Sequence, residues 1–243
     1  MPSSRPRRAT PRQDPAGMTH GFRSLLPSAV EVEVATDDAD STSPFDAERA
    51  AVARAVPVRR EEFFTVRACA RRALARLGHP PVAIVPGPGR EPVWPAGVVG
   101  SMTHCRGRRA AAVASSDDIL TLGIDVELHA PLPEGVAELV MSPAERGRLE
   151  ELGRIQPSIA WDRVVFSAKE SVFKAWFPLA RSWLDFLECD LELDARAGTF
   201  DARLLVPGPL VGLDRLQVLR GRWATDGGFI TTAVWEAAAA TRR

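Results

Sequence analysis

The chain has 243 residues, 45% of them hydrophobic and 26% charged, and its formal net charge is zero. That length supports one large domain or two small lobes, and the balance of charge excludes the broad basic field of a non-specific nucleic-acid binder. No run approaches the roughly 18 consecutive apolar residues of a membrane span, and Cys69, Cys105 and Cys189 are too few and too scattered for a zinc site or a disulfide framework, which suits a reducing cytoplasm.

Residues 1–20 are rich in Arg, Pro, Ser and Thr, with almost no large apolar residue, and read as a disordered tail. They contain no apolar core of a secretion signal. Phe22 to Val34 is the first folded-looking segment, followed by a polar, acidic loop at 36–43. A helix is expected over Phe45–Val56. A stronger one is expected over Glu61–Leu77, where Phe63, Val66, Ala70, Ala73, Leu74 and Leu77 recur at helical spacing. Gly78, with Pro80 and Pro81 beyond it, ends that helix. Residues 86–97 hold four prolines and three glycines and form a turn-rich loop. Strands are expected at Val98–Thr103, Ala110–Ala114 and Leu120–Leu128. A helix begins after Ser142, with Pro143 in its first turn and Glu145 close behind. The longest helix is expected over Ile159–Phe177, stopped by Pro178. Strands follow at Asp190–Leu193, Thr199–Val206, Leu213–Trp223 and Phe229–Trp235, the last two joined by a hairpin at Asp226-Gly227. The fold class is therefore α+β, with helices mixed among mostly antiparallel strands and no repeat of fixed period.

Four places could carry chemistry. Along Leu120–Glu127, Leu120, Leu122, Ile124 and Val126 alternate with Thr121, Gly123, Asp125 and Glu127, the period of a half-buried strand. Asp125 and Glu127 then share a face with their Cα atoms roughly 6.6 Å apart, where they repel unless a cation or solvent screens them. Taken alone, an acidic strand face in water is an equally good reading. In the long helix, Arg163, Ser167, Glu170 and Lys174 form a polar stripe opposite a broad apolar face, with Lys169 beside it. A solvated Glu170–Lys174 pair is the plain alternative. The sequence contains only two lysines, Lys169 and Lys174, and both lie in this helix. Third, Ser101, Thr103 and His104 precede an arginine-rich turn, a setting that suits phosphate oxygens. A His104–Cys105 dyad is geometrically poor, because adjacent strand residues point to opposite faces. Fourth, Arg59, Arg60, Arg67, Arg71 and Arg72 surround the second helix, for which a solvated stripe is the default.

The combination is more specific than any part. Gly123-Ile124-Asp125-Val126-Glu127, then Phe166-Ser167-Ala168-Lys169-Glu170-Ser171-Val172-Phe173-Lys174-Ala175-Trp176 about forty residues on, resemble the large, surfactin- and enterobactin-type class of 4'-phosphopantetheinyl transferases. Trp94-Pro95, Gly100-Ser101 and Thr103-His104-Cys105 match its enterobactin-like branch, and Phe64-Thr65-Val66-Arg67 resembles actinobacterial members. The resemblance implies two similar α+β lobes related by a pseudo-twofold, here residues 21–116 and 117–236, with tails at 1–20 and 237–243. It implies a monomer with its site between the lobes. It implies transfer of the 4'-phosphopantetheine arm of coenzyme A to a serine of an apo acyl or peptidyl carrier protein, leaving adenosine 3',5'-bisphosphate. Asp125, Glu127 and Glu170 would bind Mg²⁺, with Mn²⁺ a possible substitute. Glu170 would also be the base for the carrier serine, and Lys174 would hold the departing phosphate. Lys169, Ser101 and His104 would contact coenzyme A, and Arg59 and Arg67 would hold its nucleotide end. The family lysine before the glycine-rich loop is replaced by Pro86, and Arg90 is the candidate substitute. Neither nucleic acid nor membrane is an expected partner. A Mg²⁺-dependent hydrolase of a nucleotide diphosphate would use similar residues, and a non-catalytic module binding coenzyme A or a carrier is the third reading.

Overall fold

A computed structural model describes residues 21–39 and 42–239. The expected tail at 1–20 and the last residues of the chain, 240–243, lie outside the described residues.

The first half of the chain builds a small sheet with one long helix across it. Strand β1 is Glu31–Ala35, α1 is Asp46–Ala51, α2 is Pro57–Arg76, β2 is Val98–Cys105 and β3 is Arg108–Ser115. The sheet order is β1-β3-β2, all antiparallel. Helix α1 is shorter than expected, and α2 starts four residues earlier than Glu61. Pro57 explains both: it cannot continue the preceding turn, yet its fixed φ suits the first position of a new helix. Cys69, Ala70, Ala73 and Leu74 of α2 pack onto Ala111 and Val113 of β3.

The second half repeats the theme with a larger sheet. It contains β4 (Ile119–Leu128), α3 (Val136–Val140), α4 (Pro143–Ile155), α5 (Trp161–Ala180), a 3₁₀ turn (Phe186–Glu188), β5 (Cys189–Asp194), β6 (Thr199–Leu204), the two-residue strands β7 (Leu210–Val211) and β8 (Asp214–Arg215), β9 (Val218–Asp226) and β10 (Phe229–Ala237). The main sheet runs β4-β10-β9-β6-β5, again antiparallel. Ser142 and Glu145 form a reciprocal cap on α4, as the serine, proline and glutamate there anticipate.

Three expectations change. Pro178 does not stop α5, which carries on for two more residues and ends at Arg181 in a left-handed conformation. The proline ring forfeits the bond an N–H would make to the Lys174 carbonyl, and the helix ends within one turn of it. The expected strand Leu213–Trp223 is broken into a small β7–β8 ribbon and β9, with Gly212 at positive φ between β7 and β8. The β9–β10 turn is one residue later than Asp226-Gly227: Gly227 and Gly228 both take positive φ, and Asp226 pairs with Phe229.

Strands β2 and β4 lie side by side although they belong to different sheets. Two β2 side chains bridge them. Ser101 Oγ accepts from Ile124 N at 3.0 Å, and Thr103 Oγ1 accepts from Val126 N at 3.2 Å. A shared core of Val32, Ala112, Ile124 and Ala233 runs beneath this junction. Among the described residues no helix is long and apolar enough to cross a membrane.

Candidate active site

The strand carrying Asp125 is buried on both faces, not one. Leu122, Ile124 and Val126 enter the shared core, while the opposite face is covered by α5. Gly123 makes that cover possible. A Cβ there would stand 1.9 Å from the Ser171 carbonyl oxygen and 2.8 Å from the Ala175 nitrogen, both backbone atoms of α5. Thr121 Oγ1 donates to Ala175 O at 2.5 Å on the same face.

This close approach puts Lys174 against Asp125. Lys174 Nζ lies 2.7 Å from Asp125 Oδ1 and donates also to Ile124 O at 3.1 Å. Asp125 is 4% exposed, so each of its oxygens needs a donor. Thr103 Oγ1 donates to Oδ1 at 2.9 Å, and Ser167 Oγ donates to Oδ2 at 2.8 Å. Thr232, opposite Asp125 on β10, donates to the Ser167 carbonyl at 2.9 Å.

The other two carboxylates are less satisfied. Glu127 Oε2 receives Arg163 Nη1 at 3.0 Å, and Arg163 is itself tied to Ala130 O and Pro131 O. Burial, then the charge of Asp125, pushes the Glu127 carboxyl above the usual carboxylate range, against the pull of Arg163. Burial likewise raises the Glu170 carboxyl; Lys174 opposes this and Asp125 adds to it. Glu170 and Lys174 line one wall of a cavity of about 710 Å³, shared with Trp94, Phe173, Phe177 and Trp183. Among the described residues no three acidic, histidine or cysteine side chains already surround one point; Asp125 is paired with Lys174 and Glu127 with Arg163.

His104 ends β2 beside Arg59, and its Nδ1 is 3.6 Å from Glu62 Oε2. Burial and the Arg59 guanidinium push its pKa down to about 4, with Lys174 contributing. The imidazole is therefore neutral near pH 7. Arg90 lies at the exposed tip of the proline-rich loop and lines the same cavity.

Other expected contacts are placed elsewhere. Lys169 is not at the cavity. Its ammonium is buried against Glu145 Oε1 at 2.8 Å, Val140 O at 2.9 Å and Phe186 O at 2.8 Å. One residue away from Glu170 on a helix means a turn of about 100°, which carries Lys169 to the far side of α5. Ser101 also lines the cavity, but it is 3% exposed and its Oγ is engaged by Ile124 N. Arg67 is buried in the first half, with Nε on Ile84 O at 2.6 Å and its guanidinium 3.2 Å from the centre of the Phe63 ring. Burial lowers its pKa to about 9. The arginine stripe of α2 is only partly solvated: Arg59 and Arg60 are exposed, but Arg71 pairs with the fully buried Glu48 at 2.7 Å and Arg72 with Glu33 at 2.9 Å.

Two family models match this architecture in order. The model of the 4'-phosphopantetheinyl transferase N-terminal domain matches residues 47–114, and that of the 4'-phosphopantetheinyl transferase superfamily matches 121–206. The chain is 55% identical over 220 residues to 4'-phosphopantetheinyl transferase Svp of Streptomyces mobaraensis, covering 89% of each protein. The chain belongs to the 4'-phosphopantetheinyl transferase family. It is also 41% identical to the transferase PptT of Mycobacterium tuberculosis, over 87% of this chain and 96% of that protein. A more distant match, 40% over 119 residues, is to enterobactin synthase component D of Escherichia coli, covering 48% of this chain and 54% of that protein. As a 4'-phosphopantetheinyl transferase, the chain holds the two superfamily motifs on facing elements, β4 and α5. Ser167 and Arg163 were visible in the polar stripe of the sequence, and Thr103 lay in a matched motif. Nothing in the sequence singled out Thr232, and Glu145 stood out only as a helix-start residue; the partners that matter here, Ser167 and Lys169, are distant from them in the chain.

Proposed function

We infer that this transferase works at the Asp125–Lys174–Glu170 cluster, moving the 4'-phosphopantetheine arm of coenzyme A onto a serine of an apo acyl or peptidyl carrier protein. The observation that carries this reading is Lys174 bound to Asp125 beside Glu170, at one wall of a cavity large enough for a pantetheine arm. In the step proposed, the serine oxygen bonds to the phosphorus that bears the pantetheine. The bond from that phosphorus to the bridging oxygen of the diphosphate breaks, and adenosine 3',5'-bisphosphate leaves with the electron pair. The serine proton passes to Glu170. Burial supports that role, because a carboxylate of raised pKa is a stronger base. Lys174 is placed to meet charge on the departing phosphate. Arg59 offers donors for the nucleotide phosphates, with His104 holding its guanidinium there by accepting from Nη1, and Arg90 borders the cavity at the loop that lacks the family lysine. Arg67, held inward, would brace this region from behind Arg59, with Lys169 bracing α5.

Asp125, Glu127 and Glu170 are the residues that would hold Mg²⁺, or Mn²⁺ in its place. The donor set is all oxygen, which suits these hard cations, and burial, with the Asp125 charge adding to it, holds the Glu127 and Glu170 carboxyls above their usual range. The bound ion would neutralise charge on the diphosphate as it breaks. Both halves of the chain supply site residues, so a monomer suffices. The cysteines among the described residues are free thiols, which fits a cytoplasmic setting.

Intact-protein mass spectrometry of an apo carrier protein incubated with the chain, coenzyme A and Mg²⁺ tests this reading. The carrier should gain one phosphopantetheine, and EDTA or Asp125→Ala should abolish the gain. Transfer that persists in a folded Asp125→Ala variant would place the reaction elsewhere. Cleavage of coenzyme A without any carrier gain would favour a hydrolase.

A further inference from the structure

We propose that Thr103 is a positioning residue that fixes the Asp125 carboxylate for cation binding from across the junction between the two sheets. The proposal rests on the placement of the metal at Asp125 made above.

Thr103 is buried, and a hydroxyl offers one donor and two acceptor positions. It uses both functions on one stretch of β4. It accepts from the Val126 N–H at 3.2 Å and donates to Asp125 Oδ1 at 2.9 Å. Backbone and carboxylate are thus gripped by the same oxygen, and the β-branched side chain restricts rotation about χ1. The other donors to Asp125, Lys174 and Ser167, both come from α5. Thr103 is the donor from the first half of the chain. In the proposed reaction Lys174 must also serve a phosphate, so the hydroxyls of Thr103 and Ser167 are what keep the carboxylate aimed. Two residues earlier on the same face of β2, Ser101 performs only the backbone half of this task. Its Oγ accepts from Ile124 N, and none of its hydrogen bonds reaches Asp125. The two hydroxyls therefore separate joining the sheets from orienting the carboxylate.

The test titrates Mn²⁺ alone into the full chain, reading bound metal from the loss of the free Mn²⁺ electron-spin-resonance signal, with thermal melts alongside. Thr103→Val keeps the shape and removes the hydroxyl. It should weaken Mn²⁺ binding about tenfold or more, the usual cost of losing a residue that orients a metal ligand, while Thr103→Ser stays within about twofold of the parent. Ser101→Ala should lower the melting temperature yet also keep Mn²⁺ affinity within about twofold. If Thr103→Val does not fold, Thr103→Ala takes its place. A folded hydroxyl-free variant that binds Mn²⁺ like the parent, or Ser101→Ala weakening it equally, overturns the proposal. Asp125→Ala separates the two levels of the argument. Mn²⁺ binding that survives that change overturns the metal site itself. Binding lost in Asp125→Ala but kept in Thr103→Val overturns the role of Thr103 alone.

Discussion

Gly123→Ala is a one-carbon change that should reach the chemistry. The added Cβ would lie 1.9 Å from the Ser171 carbonyl oxygen and 2.8 Å from the Ala175 nitrogen. Neither atom belongs to a side chain that could swing aside. To restore an ordinary contact of about 3.4 Å, α5 must retreat from β4 by roughly 1.5 Å. A retreat of that size breaks the 2.5 Å bond from Thr121 Oγ1 to Ala175 O and stretches the 2.7 Å contact of Lys174 with Asp125. Overpacking of this kind costs about 1–3 kcal/mol, which for a chain of this length lowers the melting temperature by roughly 2–12 °C. Misplacing catalytic groups by about 1 Å can cost on the order of 100-fold in rate, so turnover should fall by a similar factor below the melting range. Differential scanning calorimetry and single-turnover mass spectrometry of carrier loading measure the two effects. A variant that melts with the parent and loads carrier at the parent rate would show that α5 does not bear on β4 through this glycine.

Lys169→Met should leave the Glu145 carboxylate buried without its partner. Breaking one side of such a pair costs about 3–5 kcal/mol, so chemical denaturation should show a large loss. Coenzyme A affinity of the remaining folded protein should be unchanged, since Lys169 faces away from the cavity. An affinity loss without a stability loss would return Lys169 to the phosphates. His104 makes stability depend on acid. Its folded pKa of about 4 lies below the ordinary 6.5, so the unfolded chain takes up the proton first. Stability should therefore fall as pH drops from about 6.5 towards 4. His104→Gln should flatten that part of the profile in urea melts at pH 7 and pH 5, and an unaltered slope would refute the buried, neutral imidazole.

The legible parts of the sequence were those governed by short-range rules. The alternation through Ile124 and Val126 placed β4, the spacing of Phe63 to Leu77 placed α2, and Ser142 with Glu145 announced the start of α4. The two motifs held the carboxylates and Lys174 that the fold brings together. What local spacing could not convey was which side of an element meets which partner. The acidic face of β4 read as half-exposed because the covering helix lies some forty residues on. Arg71 and Arg72 read as solvated because their partners, Glu48 and Glu33, are 23 and 39 residues away. The resemblance implied a phosphate contact for Lys169, but one residue along a helix is a turn of about 100°, and the structure sends its ammonium to Glu145, away from the surroundings of Glu170.

The position of β10 bears on how the molecule comes to exist. Strand β4 is synthesised at residues 119–128, but its one ladder partner among the described residues, β10, spans 229–237. At translation rates of about 5–20 residues per second, that is a wait of roughly 5–20 seconds. The β1-β3-β2 sheet can close meanwhile, because all of its strands precede β4 in the chain and emerge first. The strand bearing Asp125 must meanwhile stand with open hydrogen-bonding groups, exposed to association with other chains. Any interruption of synthesis before Phe229 leaves Asp125 and Glu127 on a strand with no ladder beside it, and so leaves the carboxylate cluster unassembled.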